Sequence, residues 1–285
     1  MHGNQSFFNL YKQNNFLPIR LVTPFFGRLS PDITTGFSLT HRKTYYFFIF
    51  ITEGSTKHGV DLEEYHLKSN ELLFIFPHQI HRLPDAGSGI NYFKIGFDEM
   101  CLSLLPKQYA FLTNPLNKQK ISFAGDQAKR IKLVFEALQG LLSTMDGSTD
   151  LILAHLNSLI AEINAAYFSG EKNPAGDNLS KYINFKEYVE ANYENHPSIG
   201  EIAEKLALNP NSLYNLVKSY SGLSPKEFIS NRLILEAKRR LYYSESNIKE
   251  LAYDLGFNDP EYFARLFKKL TGSSISEFVK DLSGN

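Results

Sequence analysis

The sequence predicts an α+β chain in two parts: a small N-terminal β-barrel or jelly roll carrying a helical pair, then an all-α domain with two helix-turn-helix motifs. Three observations carry this. Short β-favouring runs bounded by turn residues recur between Tyr45 and Phe97. Two segments, Asp126 to Ser143 and Asp150 to Phe168, place apolar residues at helical spacing. Finally, Ile199-Gly-Glu-Ile-Ala203-Glu-Lys-Leu206 returns as Ile248-Lys-Glu-Leu-Ala252-Tyr-Asp-Leu255, and the match continues beyond each copy.

Taken in order, Pro18, Pro24 and Pro31 break any helix in the opening stretch. Its many phenylalanines, from Phe7 to Phe37, make it too apolar for a free tail, so it reads as an arm with short strands lying on the following domain. Within it, the aromatic-rich Phe7 to Phe26 segment is the expected point of ligand control. Tyr45 to Thr52 is an unbroken β-favouring run, as for a strand buried on both faces. Gly54-Ser55 turns it, Gly59 to Leu67 reads as the next strand, and Lys68-Ser69-Asn70 turns again before Leu72 to Phe76. The Gly87-Ser-Gly89 hairpin signal and the strand Asn91 to Phe97 complete the series.

Two long helices follow. Ile131, Val134, Phe135, Leu138, Leu141 and Leu142 form the stripe of the first; Leu153, Leu156, Leu159, Ile160 and Ile163 form that of the second. Such a pair either packs on the barrel or joins two copies of the chain. Ser169 to Asn178 has the Gly, Pro and polar composition of a linker, and Tyr182, Phe185, Tyr188 and Val189 open the last domain. There, Gly256 closes a short helix, Asn258 or Asp259 caps the next, and Pro260 suits its first turn. Phe263, Leu266, Phe267 and Leu270 make its buried stripe, leaving Glu261, Ala264, Arg265 and Lys268 outside. Pro225 to Tyr243 reads as one helix joining the two copies. The pattern is that of a DNA reader used twice.

At these residues a family comes into view. Ala252-x-x-Leu-Gly256-Phe257, followed by Tyr262-Phe263-x-Arg265-x-Phe267-Lys268-Lys269-x-x-Gly272, resembles the signature of the AraC/XylS transcription regulators. Gly222-Leu-Ser-Pro225-x-x-Phe228-Ile229 and Arg232-Leu233-x-x-x-Ala237 are similar to the link between that family's two readers. Ile275 and Val279 depart from it, standing where a proline and an arginine are usual. Gly54, Asp61, Tyr65, Pro77-His-Gln-Ile-His81 and Ile95-Gly-Phe97 resemble the family's cupin-like effector domain. The resemblance implies a cupin-like effector-binding and dimerisation domain at 1–168, a linker at 169–178, and a DNA-binding domain at 179–285 with motifs near 199–220 and 248–270.

The expected DNA-facing residues are Asn211, Ser212, Tyr214, Asn215 and Lys218 on the first reader. On the second they are Glu261, Tyr262, Ala264, Arg265 and Lys268; Glu261, Ala264 and Arg265 match the family's base contacts. Asn suits adenine and Arg suits guanine, whereas Lys218 and Lys268, equivalent in the two copies, suit phosphates. Tyr45, His58, His81 and Tyr92 are the expected effector pocket. No metal or other cofactor is expected: His58, His66, His78 and His81 lack the His-x-His and glutamate of a metal cupin. The expected partners are double-stranded promoter DNA, a small-molecule effector, RNA polymerase and a second copy of the chain, with no membrane.

Composition sets the remaining limits. The 285 residues, 43% of them hydrophobic, suffice for two cores, and 30 basic against 30 acidic residues argue neither for nor against nucleic acid. Locally, Lys205, Lys218, Lys226, Arg232, Lys238, Arg239 and Arg240 are opposed in their span only by Glu227 and Glu236, a basic stripe fit for phosphates. Cys101 alone makes no disulfide framework, Met1 to Tyr11 is unlike a secretory leader, and no apolar run nears the ~20 residues of a membrane helix, so a cytoplasmic location is expected. No nucleophile motif surrounds Cys101 or any serine, which disfavours an enzyme. The reading is a ligand-responsive, sequence-specific transcription activator; the alternative is a cupin-type enzyme or sugar-binding protein with a helical appendage.

Overall fold

The computed structural model describes residues 12–28, 40–42, 45–61, 63–77, 79–82, 89–114, 117–169, 177–243 and 247–282. Contacts divide the chain into two compact units, one of Met1–Asn114 with Lys118–Lys172, the other of Pro115–Asn117 with Asn173–Asn285. Residues 170–176 of the expected linker, Phe7 of the arm, His78, and the first two residues of the Gly87-Ser-Gly89 turn lie outside the described residues.

The first unit is built on β1 (Ile19–Val22), β2 (Thr40–Arg42), β3 (Tyr46–Glu53), β4 (Ser55–Val60), β5 (Glu63–Lys68), β6 (Glu71–Ile75), β7 (Ile80–Arg82), β8 (Asn91–Phe97) and β9 (Lys120–Ser122). They form two antiparallel sheets, ordered β1-β8-β3-β6-β9 and β2-β7-β4-β5. The expected barrel is therefore not closed. The cause lies in its corners. Gly54 (φ 86°) and Asn70 (φ 65°) take left-handed conformations that carry the chain from one sheet into the other. So β3 and β4, and likewise β5 and β6, are joined directly yet pair elsewhere. At Gly54 a Cβ would also meet the Gly89 carbonyl oxygen at 3.1 Å. The expected strand Gly59 to Leu67 is likewise two strands, broken where Asp61 turns at φ 49° and its carboxylate accepts from Ile80 N at 3.0 Å and Gln79 Nε2 at 2.7 Å.

The register explains the apolar run in β3. Phe48 and Phe50 stand opposite Ile95 and Phe93 of β8, and face the helices; Ile49 and Ile51 point the other way, to Val60 and Leu67 of the second sheet. After the short helix α1 (Glu99–Ser103), the chain forms α2 (Gly125–Leu141) and α3 (Thr149–Tyr167). Phe135 of α2 stacks on Phe93 at 5.0 Å and on Phe50 at 5.8 Å, so the helical pair covers the first sheet. Ile152, not Leu153, is the fully buried residue at the start of the second stripe. Arg130 and Glu162 clasp the two helices with bonds of 2.7 and 2.9 Å.

The arm is less of an appendage than its sequence implies. Leu17, Ile19 and Leu21 are buried in the core, and β1 pairs along β8. Asn14, also buried, donates to the Gly147 carbonyl at 2.9 Å and accepts from Leu17 N at 3.0 Å, tying the arm to the turn between α2 and α3.

The second unit contains α4 (Asp177–Asn192), α5 (Ile199–Lys205), α6 (Pro210–Ser221), α7 (Pro225–Tyr243), α8 (Ile248–Asp254), α9 (Pro260–Thr271) and α10 (Ile275–Leu282). They share one core, from Tyr182 and Phe185 to Phe263 and Phe267. Three helices start with the same Ser-x-x-Glu box. Ser198, Ser224 and Ser274 accept from the backbone three residues on, and Glu201, Glu227 and Glu277 reach back to the serine N–H. Because of that box, Ile275 opens α10 as Pro225 opens α7, and the closing turn survives the departure from the family pattern.

Candidate nucleic-acid interface

Both helix pairs turn in the same way. In the first, Leu208 N donates to Ala203 O at 2.8 Å; in the second, Phe257 N donates to Ala252 O at 2.9 Å. Asn209 caps α6 through Ser212 N at 2.8 Å, and Asp259 caps α9 through Glu261 N at 2.8 Å. Proline follows each cap and a left-handed glycine, Gly222 or Gly272, ends each helix. The two recognition helices thus have the same length and begin in the same way.

Burial then fixes what each shows to solvent. On α6, Leu213, Leu216 and Val217 are buried, which leaves Asn211, Ser212, Tyr214, Asn215 and Lys218 exposed. On α9, Phe263 and Phe267 are buried and Glu261, Tyr262, Arg265 and Lys268 are exposed. Ala264 differs from the expectation in degree: it is half-buried against the core. Counting from each proline, Glu261 takes the place of Asn211, Arg265 that of Asn215, and Lys268 that of Lys218.

The charged members are held lightly. The Arg265 guanidinium, 65% exposed, lies 3.5 Å from Asp259 and 3.7 Å from Glu261. Ion pairs this solvated stabilise little, so release to another acceptor costs little. Lys218 Nζ donates to Gly222 O at 2.6 Å, at the end of α6 away from its cap.

The expected basic stripe needs correcting. Arg232 is bound by Glu190, with bonds of 2.6 and 2.7 Å, and by Glu236 at 3.4 Å. Arg239 lies 3.7 Å from Glu236, and Arg240 pairs with both Glu236 and Glu194. These arginines belong to an internal network. Lys205, Lys218 and Lys226 remain exposed.

In the first unit the expected pocket residues separate into two places. His58 and His81 are buried on the second sheet, with Nδ1 and Nε2 3.2 Å apart and their rings stacked. Phe47 lies against His81 at 5.7 Å and Tyr45 against Phe47 at 6.3 Å. Tyr92 pairs instead with Ile51, four residues along β3 from Phe47, about 13 Å away at the strand rise. Beside it stands Lys94, which the sequence reading did not single out. The alternation Phe93, Ile95, Phe97 against Tyr92 and Lys94 was the available signal, since it sets that lysine on the sheet face opposite the helices. Among the described residues no group of three His, Cys, Asp or Glu side chains converges for a metal ion, and no helix is long and apolar enough to cross a membrane.

Comparison with known proteins gives two family matches: an AraC-like ligand binding domain over residues 25–160 and a helix-turn-helix domain over residues 202–281. The Msm operon regulatory protein of Streptococcus mutans is 24% identical over 284 residues, covering 97% of this chain and 99% of its own. The HTH-type transcriptional activator RhaS of Mannheimia succiniciproducens is 38% identical over 81 residues, 28% of this chain and 30% of its own. Among solved structures, ToxT from Vibrio cholerae with bound unsaturated fatty acid is similar at 18% identity, covering 94% of this chain and 96% of that one, with a TM-score of 0.45.

Proposed function

This chain belongs to the AraC/XylS family of transcription regulators, with a ligand-binding and a DNA-binding part, and from that premise we propose how it reads DNA and answers a ligand. The carrying observation is the equality of the two helix pairs: the same caps, the same turn bond and the same exposed positions, joined through α7. Helices α6 and α9 enter successive major-groove segments on one face of the duplex, about one helical turn (~34 Å) apart.

Their exposed chemistry differs, so the two segments differ too. Asn211, Ser212, Tyr214 and Asn215 carry amides and hydroxyls but no charge, which suits adenine and thymine edges. Arg265 offers its fork to guanine and Glu261 accepts from cytosine, so α9 reads a G·C-containing segment. Lys218 and Lys268, farther from the caps, take phosphates and set register.

The chain acts as a ligand-responsive activator, not an enzyme, in the cytoplasm, with RNA polymerase as its downstream partner. The domains run 1–168, 169–178 and 179–285 in the roles given above. A second copy docks through the α2–α3 hairpin, where Leu133 is 63% and Leu151 51% exposed.

Selection of binding sites from random duplexes, followed by titration of variants, tests the DNA reading. Arg265→Ala is expected to lose ~1–3 kcal/mol on the selected site and to relax preference at one G·C pair. Lys218→Ala is expected to weaken all sequences alike and to lower the salt slope by about one unit. Equal loss on random and selected DNA for Arg265→Ala removes the base contact; an unchanged slope for Lys218→Ala removes the phosphate contact.

A further inference from the structure

Three positions differ as a set between the two recognition helices. In the first copy the cap Asn209, with Asn211 and Asn215, carries amides; counted from the proline, the same places in the second copy hold Asp259, Glu261 and Arg265. The two carboxylates bracket the arginine. Asp259 Oδ1 makes the cap, accepting from Glu261 N at 2.8 Å, and its other oxygen, Oδ2, lies 3.5 Å from Arg265 Nη2. Glu261 Oε2 lies 3.7 Å from Arg265 Nη1, one helical turn away.

Folding does not account for the charge at 259. Asparagine caps a helix about as well as aspartate, and Asn209 does so in the first copy, accepting from Ser212 N at 2.8 Å. The ion pair itself stabilises little, since both side chains are more than half exposed. What the carboxylates do decide is which acceptor Arg265 takes from DNA. A phosphate is an anion and has to approach beside two like charges, whereas the O6 and N7 edge of guanine carries no net charge. A repulsive element of this kind discriminates against the wrong acceptor. The same contacts hold the guanidinium near the start of α9, so less rotamer freedom is lost when it meets a base.

We propose that Asp259 is a specificity-determining residue of the second reader: with Glu261 it keeps Arg265 from phosphates and positions its fork for guanine. This rests on the base-reading role given to Arg265 above. Asp259 acts through the arginine, as a positioning residue, and lowers affinity for DNA of arbitrary sequence.

Asp259→Asn removes the charge and keeps the cap, and Asp259→Ser does so with a different shape. Both are titrated as full-length protein against three duplexes, at low and at physiological salt. These are the selected site, random sequence, and the selected site with A·T in place of the G·C pair that Arg265 reads. Each variant is expected to bind random duplex about threefold tighter or more at low salt, the gain shrinking as salt screens the charge. Preference for the G·C pair is expected to fall about threefold or more. In an Arg265→Ala background the same substitutions are expected to leave that preference unchanged, because the two residues act as one unit. No gain on random duplex, a gain that salt does not reduce, an unchanged G·C preference, or an effect that persists without Arg265 overturns the proposal. Melting temperatures that fall by several degrees in both variants would make Asp259 a structural residue and overturn it too. Arg265→Ala alone keeps the two ideas apart. If it leaves every base preference intact, the base-reading role fails and takes this proposal with it; if it relaxes one G·C pair while the Asp259 variants behave as wild type, only the role of Asp259 fails.

Discussion

Gly256→Ala is expected to destabilise the DNA-binding unit by about 2–4 kcal/mol, the largest loss for the addition of one methyl group in that unit. Two effects combine. Gly256 sits at φ 79°, where an L side chain is strained by roughly 1–2 kcal/mol. Its Cβ would also stand 1.9 Å from the Glu194 carbonyl oxygen, a backbone atom that cannot swing aside. The same turn is fixed by His196 Nε2 at 2.8 Å from Leu255 O, so relief of the clash would break a contact between α8 and the turn after α4. Urea unfolding of the full chain checks the loss, with DNA affinity falling in parallel. The equivalent residue of the first copy is the control. Ala207 already holds φ 53° and is exposed, so Ala207→Gly is expected to gain up to about 1 kcal/mol. Equal and small effects at both sites would mean that the turn, not the Glu194 contact, sets the cost.

The two copies were legible because their signals are local. Caps, prolines, C-terminal glycines and apolar spacing all fall within a helix length; Phe263 and Phe267 are buried where the spacing placed them, whereas Leu266 is half-buried and Leu270, at the end of the stripe, is exposed. Strands β3, β6 and β8 were legible one at a time, but the short β7 and β9, the division into β4 and β5, and the assembly of the sheets were not. Whether Gly54 and Asn70 make hairpins or corners depends on partners far along the chain, and here they are corners. The break at Asp61 escaped notice because aspartate in a left-handed turn leaves no glycine or proline behind. Lys94 shows the converse case: its face was readable from alternation, but the Tyr92 ring 4.2 Å from its ammonium needs the surrounding structure. The basic stripe failed for the same reason. Glu190 and Glu194, which bind Arg232 and Arg240, lie 42 and 46 residues upstream of them.

That network gives the second large effect. Glu236→Ala is expected to cost about 3–5 kcal/mol, since removing the one carboxylate shared by three clustered arginines leaves buried positive charge less well compensated. The Glu236 side chain is 4% exposed and touches Arg232, Arg239 and Arg240, whose side chains are 12%, 6% and 29% exposed. Arg239 is the most exposed to harm, because it is buried and Glu236 lies 3.7 Å away. Arg232 keeps Glu190 and the Tyr193 ring at 4.1 Å, and Arg240 keeps Glu194, so part of the cluster survives. Glu236→Gln, which holds shape and acceptor oxygen but not charge, is expected to fall between wild type and alanine. Acid should mimic the loss in part. At Glu190 burial would raise the carboxyl pKa, but the bonds and charge of Arg232, with the charge of Arg239, hold it below its ordinary 4.5. Its contribution is therefore complete above pH 4.5 and disappears as the pH falls through the folded value. Urea unfolding at neutral pH and in this acid range, for wild type and both variants, measures the cluster. A loss under about 1 kcal/mol for Glu236→Ala would match a solvated surface pair instead, and would return these arginines to the phosphate-binding role expected from their clustering along the chain.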